Sequence, residues 1–186
     1  MAISQLTETD SRGLPDIKDG KSTFALPDWF PNEQRDGKRG VWVLDEYYSG
    51  LLSTQIAFYS ALNQSERYIG DYKIPDGWTI IGLSNRPQDG ASVHGRIDSA
   101  TGTRWHSQYN LLPEIGSFTN WAFENSIDET VIGFLNFKQE LLHEFPDGGI
   151  PKGRTILACP RSWTYVSKTL SLGLDPVLEQ ISIEGS

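Results

Sequence analysis

The chain has 186 residues, a formal net charge of −8 and one cysteine. That length suits one full domain, or one and a half small ones. The acidic balance, with no run of Lys and Arg, disfavours direct binding of DNA or RNA, which calls for a basic patch. The lone Cys159 rules out an intrachain disulfide framework and fits a reducing compartment. No apolar run approaches the length of a membrane span and no basic-then-apolar leader opens the sequence, so the chain reads as cytoplasmic, with no membrane partner.

Residues 1–39 are rich in Gly, Pro, Asp and Lys and read as a loop-rich segment with a short hairpin around Thr23–Leu26. A polar stretch of this length is unusual inside a compact domain. Gly20-Lys21-Ser22 imitates the end of a phosphate-binding loop, but that loop needs a glycine where Pro15 stands. No apolar strand leads into it and Thr23-Phe24-Ala25-Leu26-Pro27 reads extended rather than helical, so a turn is expected there.

Gly40-Val41-Trp42-Val43-Leu44-Asp45-Glu46 carries the most chemistry. Its apolar run predicts a parallel strand buried on both faces. The two acids then fall at the strand's carboxyl end, where open α/β sheets bind ligands. There one carboxylate can hold Mg²⁺ through water and the next can polarise an attacking water, which is the Walker B pattern.

A helix is expected over 51–63, with Leu52, Ile56 and Tyr59 at helical spacing and Ser49 or Ser53 as its cap. Arg67 to Ile74 reads as a tight hairpin, and Pro75-Asp76-Gly77 as a turn. Trp78 to Leu83 reads as a second buried strand, ending at Ser84-Asn85-Arg86. From about Ser117 the pattern becomes helical, with helices expected over 118–125, 128–137 and 161–172, Asp128 capping the second. A turn-rich connector is expected over 146–153. Trp42, Trp78, Trp121 and Trp163 read as core and interface packing, and Cys159 as a small buried residue. His94, His106 and His143 have no metal-ligand spacing.

At this point a resemblance becomes specific. Arg12-Gly13-Leu14-Pro15, Gly40 to Glu46, Gly70 to Trp78, Ser84-Asn85-Arg86 and Pro160-Arg161-Ser162-Trp163 stand in the order and spacing of the MoxR-like branch of AAA+ ATPases. The resemblance runs from Ser11 to about Ser167. It implies an α/β fold: an incomplete P-loop NTPase (AAA+) core with parallel strands, followed by a small helical lid. The segments would be 1–39 ahead of Walker B, 40–114 as part of the core, and 115–186 as part of the lid.

The same resemblance implies ATP and Mg²⁺ as ligands. Asp45 would be the nucleotide-binding and metal-holding Walker B aspartate, Glu46 the catalytic glutamate and Asn85 the sensor that orients water. Arg104 would be a finger reaching a neighbouring subunit's γ-phosphate, with Arg96 as its competitor and a surface stack on Trp105 as the plain alternative. Arg161 would be the lid's sensor arginine. Implied partners are a homo- or hetero-oligomeric ring and a client protein.

Two departures matter. The phosphate loop should lie upstream of Ser11, beyond Met1, and the lid normally continues further than Leu170–Ser186, so both ends read as cut. Residues 101–112 also depart from the family's helix, because Gly102 weakens it. Without a phosphate loop, an acidic chain repels a polyanion, and weak ATP binding by this chain alone is expected. Two readings of function stand. In the first, the chain is part of an ATPase that remodels or activates a protein partner, its phosphate loop supplied by missing residues or by another chain. In the second, it is a non-catalytic AAA+-like adaptor or interaction subunit of an ATPase complex.

Overall fold

The computed structural model describes residues 1–86, 99–145 and 156–173. The expected turn at 146–153, Arg96 and His94 lie outside them. The fold is mixed α/β, with one parallel and two antiparallel strand pairs among the described residues. It divides into two compact units, the boundary falling between Gln108 and Tyr109.

The first unit begins with a strand-like segment. Ala2 bridges Asp45 in the parallel sense; the Asp45 N–H donates to the Met1 carbonyl (2.8 Å), and the Ile3 N–H donates to the Asp45 carbonyl (2.7 Å). Helix α1 (Glu8–Arg12) starts in a capping box between Thr7 and Asp10, which satisfies two amide donors reciprocally. The Thr7 hydroxyl and amide on Asp10 hold its carboxyl below the usual range. Strands β1 (Leu14–Lys18) and β2 (Lys21–Ala25) form an antiparallel hairpin. Asp19 and Gly20 both take positive φ at its tip, the two-residue geometry that Asp-Gly favours. Asp19-Gly20 is therefore the hairpin turn, and Lys21 opens β2 opposite Lys18. The hairpin is longer than the one expected and starts nine residues earlier, at Leu14. Gly13 closes its base: a Cβ there would lie 2.2 Å from the Ala25 carbonyl oxygen.

A short helix, α2 (Glu33–Asp36), leads to β3 (Gly40–Leu44), which pairs in parallel with β6 (Trp78–Gly82) in the register Trp42↔Ile80 and Leu44↔Gly82. Trp42 and Leu44 are buried in the core with Phe30, Tyr47, Phe58, Ile69 and Ile74. Trp78, Ile80 and Trp105 pack against that cluster, and a Cβ on Gly40 or Gly82 would strike the Trp78 or Trp105 ring at 2.6 or 2.7 Å. Even-numbered positions therefore face the core on both strands. The other face is not buried, contrary to the expectation that the apolar run was covered on both sides: Val41, Val43 and Ile81 are exposed.

The helix expected over 51–63 is two short ones, α3 (Leu52–Ala57) and α4 (Tyr59–Leu62). The Gln55 carbonyl accepts the Phe58 N–H three residues on (3.1 Å) and the Tyr47 hydroxyl (3.1 Å). That interrupts the four-residue ladder and turns Phe58, which is fully buried, into the core. Neither Ser49 nor Ser53 caps α3; Leu51 occupies the cap position, with no side-chain bond. Strands β4 (Tyr68–Ile69) and β5 (Tyr72–Lys73) make the expected small hairpin. Helix α5 (Ser99–Gly102) is the last helix of this unit among the described residues.

The second unit is helical: α6 (Ile115–Glu124), α7 (Glu129–Phe137) and α8 (Pro160–Ser171). All three expected helices are present, shifted by up to three residues. Asp128 caps α7 through the Thr130 N–H (2.8 Å). The Glu114 carboxylate accepts the Gly116 and Ser117 amides at the start of α6, and those bonds lower its pKa. Phe118, Ala122, Val131, Ile132, Leu135 and Leu142 form the core, with Trp163 against it. The Trp163 indole N–H donates to the Leu141 carbonyl (2.8 Å). Trp121, expected in the packing, is largely exposed, and Cys159 is half-buried as the N-cap of α8.

Candidate functional site

The parallel pairing of β3 and β6 puts the carboxyl ends of both strands side by side. Beyond Leu44 the ladder continues with one extra residue. The Leu83 N–H donates to the Leu44 carbonyl (2.9 Å), and the Leu83 carbonyl accepts the Tyr47 N–H (2.9 Å). Asp45 and Glu46 together therefore oppose Leu83, a bulge of the kind that re-aims side chains at a sheet rim. Glu46 takes φ 52° and ψ 38°, a left-handed conformation uncommon for a residue with a side chain. Its amide donates to the Asp45 carboxylate Oδ1 (2.9 Å).

Both acids are exposed. Strand alternation sends the Asp45 side chain to the same face as Val41 and Val43. The Glu46 carboxylate Oε2 accepts the Ser4 hydroxyl, and Ser4 is delivered by the Ala2–Ile3 pairing beside β3. Ser4 has no signature in the sequence, because 42 residues separate it from its partner.

On the β6 side, the Ser84 hydroxyl accepts the Tyr48 N–H (3.2 Å). Asn85 is the next residue and is exposed. Asp45, Glu46 and Asn85 thus share one rim of one parallel pair.

Arg104 is half-buried, with its guanidinium carbon 4.3 Å from the centre of the Tyr59 ring and its Nη1 donating to the Ala100 carbonyl (2.6 Å). It stacks on Tyr59, not on Trp105. Trp105 instead packs edge-on against Tyr47, their ring centres 5.3 Å apart. Arg161 is exposed in the first turn of α8, in the second unit.

Among the described residues, no group of three or more His, Cys, Asp and Glu side chains could hold a metal ion. A rim with Asp45 does not need such a cage for Mg²⁺, which is commonly held by one or two carboxylates, waters and substrate phosphates. Among the described residues, no helix is long and apolar enough to cross a membrane.

No family model, no curated protein and no solved structure matches this chain.

Proposed function

We propose that the chain is part of a MoxR-like AAA+ ATPase, coupling ATP hydrolysis to remodelling of a protein partner within an oligomeric ring. One observation carries this reading: Asp45 and Glu46 lie at the carboxyl end of β3, and Asn85 follows the adjacent parallel strand β6 at the same rim. Asp45 would hold a hydrated Mg²⁺ on the β- and γ-phosphates. The Glu46 carboxylate would take a proton from the attacking water, and the Asn85 amide would orient that water. The phosphate loop would come from residues outside this sequence or from another chain.

The stack of Arg104 on Tyr59 and its bond to Ala100 weigh against Arg104 acting as a finger in trans in either reading, since extending the side chain would break both.

The test is complementation. Mixed with a polypeptide that supplies the phosphate loop, the chain should hydrolyse ATP with Mg²⁺; Glu46→Gln should abolish turnover while sparing nucleotide binding. Full turnover by Glu46→Gln would overturn the assignment. Tight ATP binding by the 186 residues alone would overturn the claim that the phosphate loop is supplied from elsewhere.

A further inference from the structure

Glu46 stands at the N-cap of a short 3-10 turn, Tyr47–Ser49, yet its side chain makes no capping bond there. The opening amides of such a turn have no partner within it and take acceptors from outside. A glutamate in the cap position can supply them: the Glu114 carboxylate accepts the Gly116 and Ser117 amides at the start of α6 (2.8 and 2.7 Å). At Glu46 the neighbouring strand supplies them instead. The Leu83 carbonyl accepts the Tyr47 N–H (2.9 Å), and the Ser84 hydroxyl accepts the Tyr48 N–H (3.2 Å).

These two bonds differ in one respect. The Leu83 carbonyl belongs to the backbone and survives any substitution, whereas the Ser84 hydroxyl is a side-chain group. Tyr48 is the second residue of its turn, as Gly116 is of α6, so its amide is one that a cap carboxylate reaches. With that amide served from beyond β6, Glu46 keeps its left-handed backbone and gives its carboxylate to the Ser4 hydroxyl.

We propose that Ser84 is a positioning residue: by occupying the Tyr48 amide, its hydroxyl keeps the Glu46 carboxylate off its own turn and free at the rim. Without the hydroxyl, the Tyr48 amide loses that acceptor, and the left-handed strain at Glu46 is relieved if its carboxylate swings back to cap the turn. The consequence for catalysis rests on the reading of Glu46 as the base. The placement of the carboxylate does not, and it can be measured without nucleotide.

NMR of the intact chain provides the test, with Ser84→Ala and the shape-matched pair Ser84→Thr and Ser84→Val, of which only threonine keeps the hydroxyl. During acid titration the Tyr48 amide proton should move together with the Glu46 carboxyl carbon in Ser84→Ala, at least threefold further than in the parent. Adding Glu46→Gln should remove that movement, which separates it from the neighbouring Asp45 carboxylate. Ser84→Val should match Ser84→Ala, and stands in for it should Ser84→Ala prove misfolded; Ser84→Thr should match the parent. A Tyr48 amide that ignores Glu46 in the variants lacking the hydroxyl, or follows it equally in Ser84→Thr, would overturn the inference. In the complemented ATPase, Ser84→Ala should lower kcat at least fivefold with KM for ATP unchanged, and Ser84→Thr should restore it. An undiminished kcat beside the NMR shifts would refute the catalytic consequence. The same NMR shifts with no hydrolysis by the parent would sink the ATPase reading and leave the role of Ser84 standing.

Discussion

The Ser4 hydroxyl donates to the Glu46 carboxylate, joining the first turn of the chain to the acid at the end of β3. Two further bonds, Asp45 N–H to Met1 and Ile3 N–H to Asp45, place Ser4 there. A hydrogen bond of this kind is worth about 0.5–1.5 kcal/mol. Ser4→Ala and Glu46→Ala should therefore be non-additive by roughly that amount in a double-mutant cycle read by urea unfolding. Additive effects would show that the contact contributes nothing in solution.

The close approach of Trp78 to Gly40 gives a second prediction. A Cβ at position 40 would lie 2.6 Å from the indole ring, whose Nε1–H donates to the Gly37 carbonyl (3.1 Å). Gly40→Ala must push the ring away and strain that bond. The expected loss is about 1–3 kcal/mol, the usual penalty of overpacking, seen as a lower urea midpoint with an unchanged slope. Gly20→Ala removes a residue that a Cβ would leave in open space; it should cost less and act only through its positive φ.

The two cores should be separable by mutation. Phe58 is fully buried in the first cluster and Leu135 in the second. Phe58→Ala should cost about 3–5 kcal/mol and Leu135→Ala about 2–5 kcal/mol. Hydrogen exchange should show each loss of protection confined to its own unit. A loss spread equally over both would mean that the units unfold as one.

Acid should loosen the second unit at its first helix. Backbone amides of Gly116 and Ser117 hold the Glu114 carboxyl below its ordinary value. A depressed folded-state pKa means that the stabilisation is present above the unfolded glutamate pKa and is lost as pH falls through the folded one. Helix α6 should therefore lose protection as pH drops below the ordinary glutamate range, and Glu114→Gln should remove that part of the acid dependence. A Glu114→Gln protein with the parent's acid profile would contradict the assignment.

Much of the fold was legible because local signals agreed with it. Asp128 ahead of Glu129 marks the start of α7, and Pro160 in the first turn marks that of α8. Asp19-Gly20 gives a hairpin turn wherever extended residues flank it. The second face of β3 was not legible, because Val-Trp-Val-Leu has no polar residue to mark the side facing solvent. The break at Phe58 was hidden for another reason: it depends on the Tyr47 hydroxyl reaching the Gln55 carbonyl, a contact set by packing. In the candidate site, Asp45, Glu46 and Asn85 could be found from strand endings alone. Ser4 could not, nor could the stack of Arg104 on Tyr59 across 45 residues of chain.

The most direct test of the central claim uses Mn²⁺ in place of Mg²⁺. With excess ATP, which compensates for weak binding, Mn²⁺ should broaden the amide resonances of Asp45, Glu46 and Asn85 together, and Asp45→Asn should abolish the broadening at all three. Broadening scattered over other acidic side chains and unchanged by Asp45→Asn would show that this rim does not gather a metal–nucleotide complex.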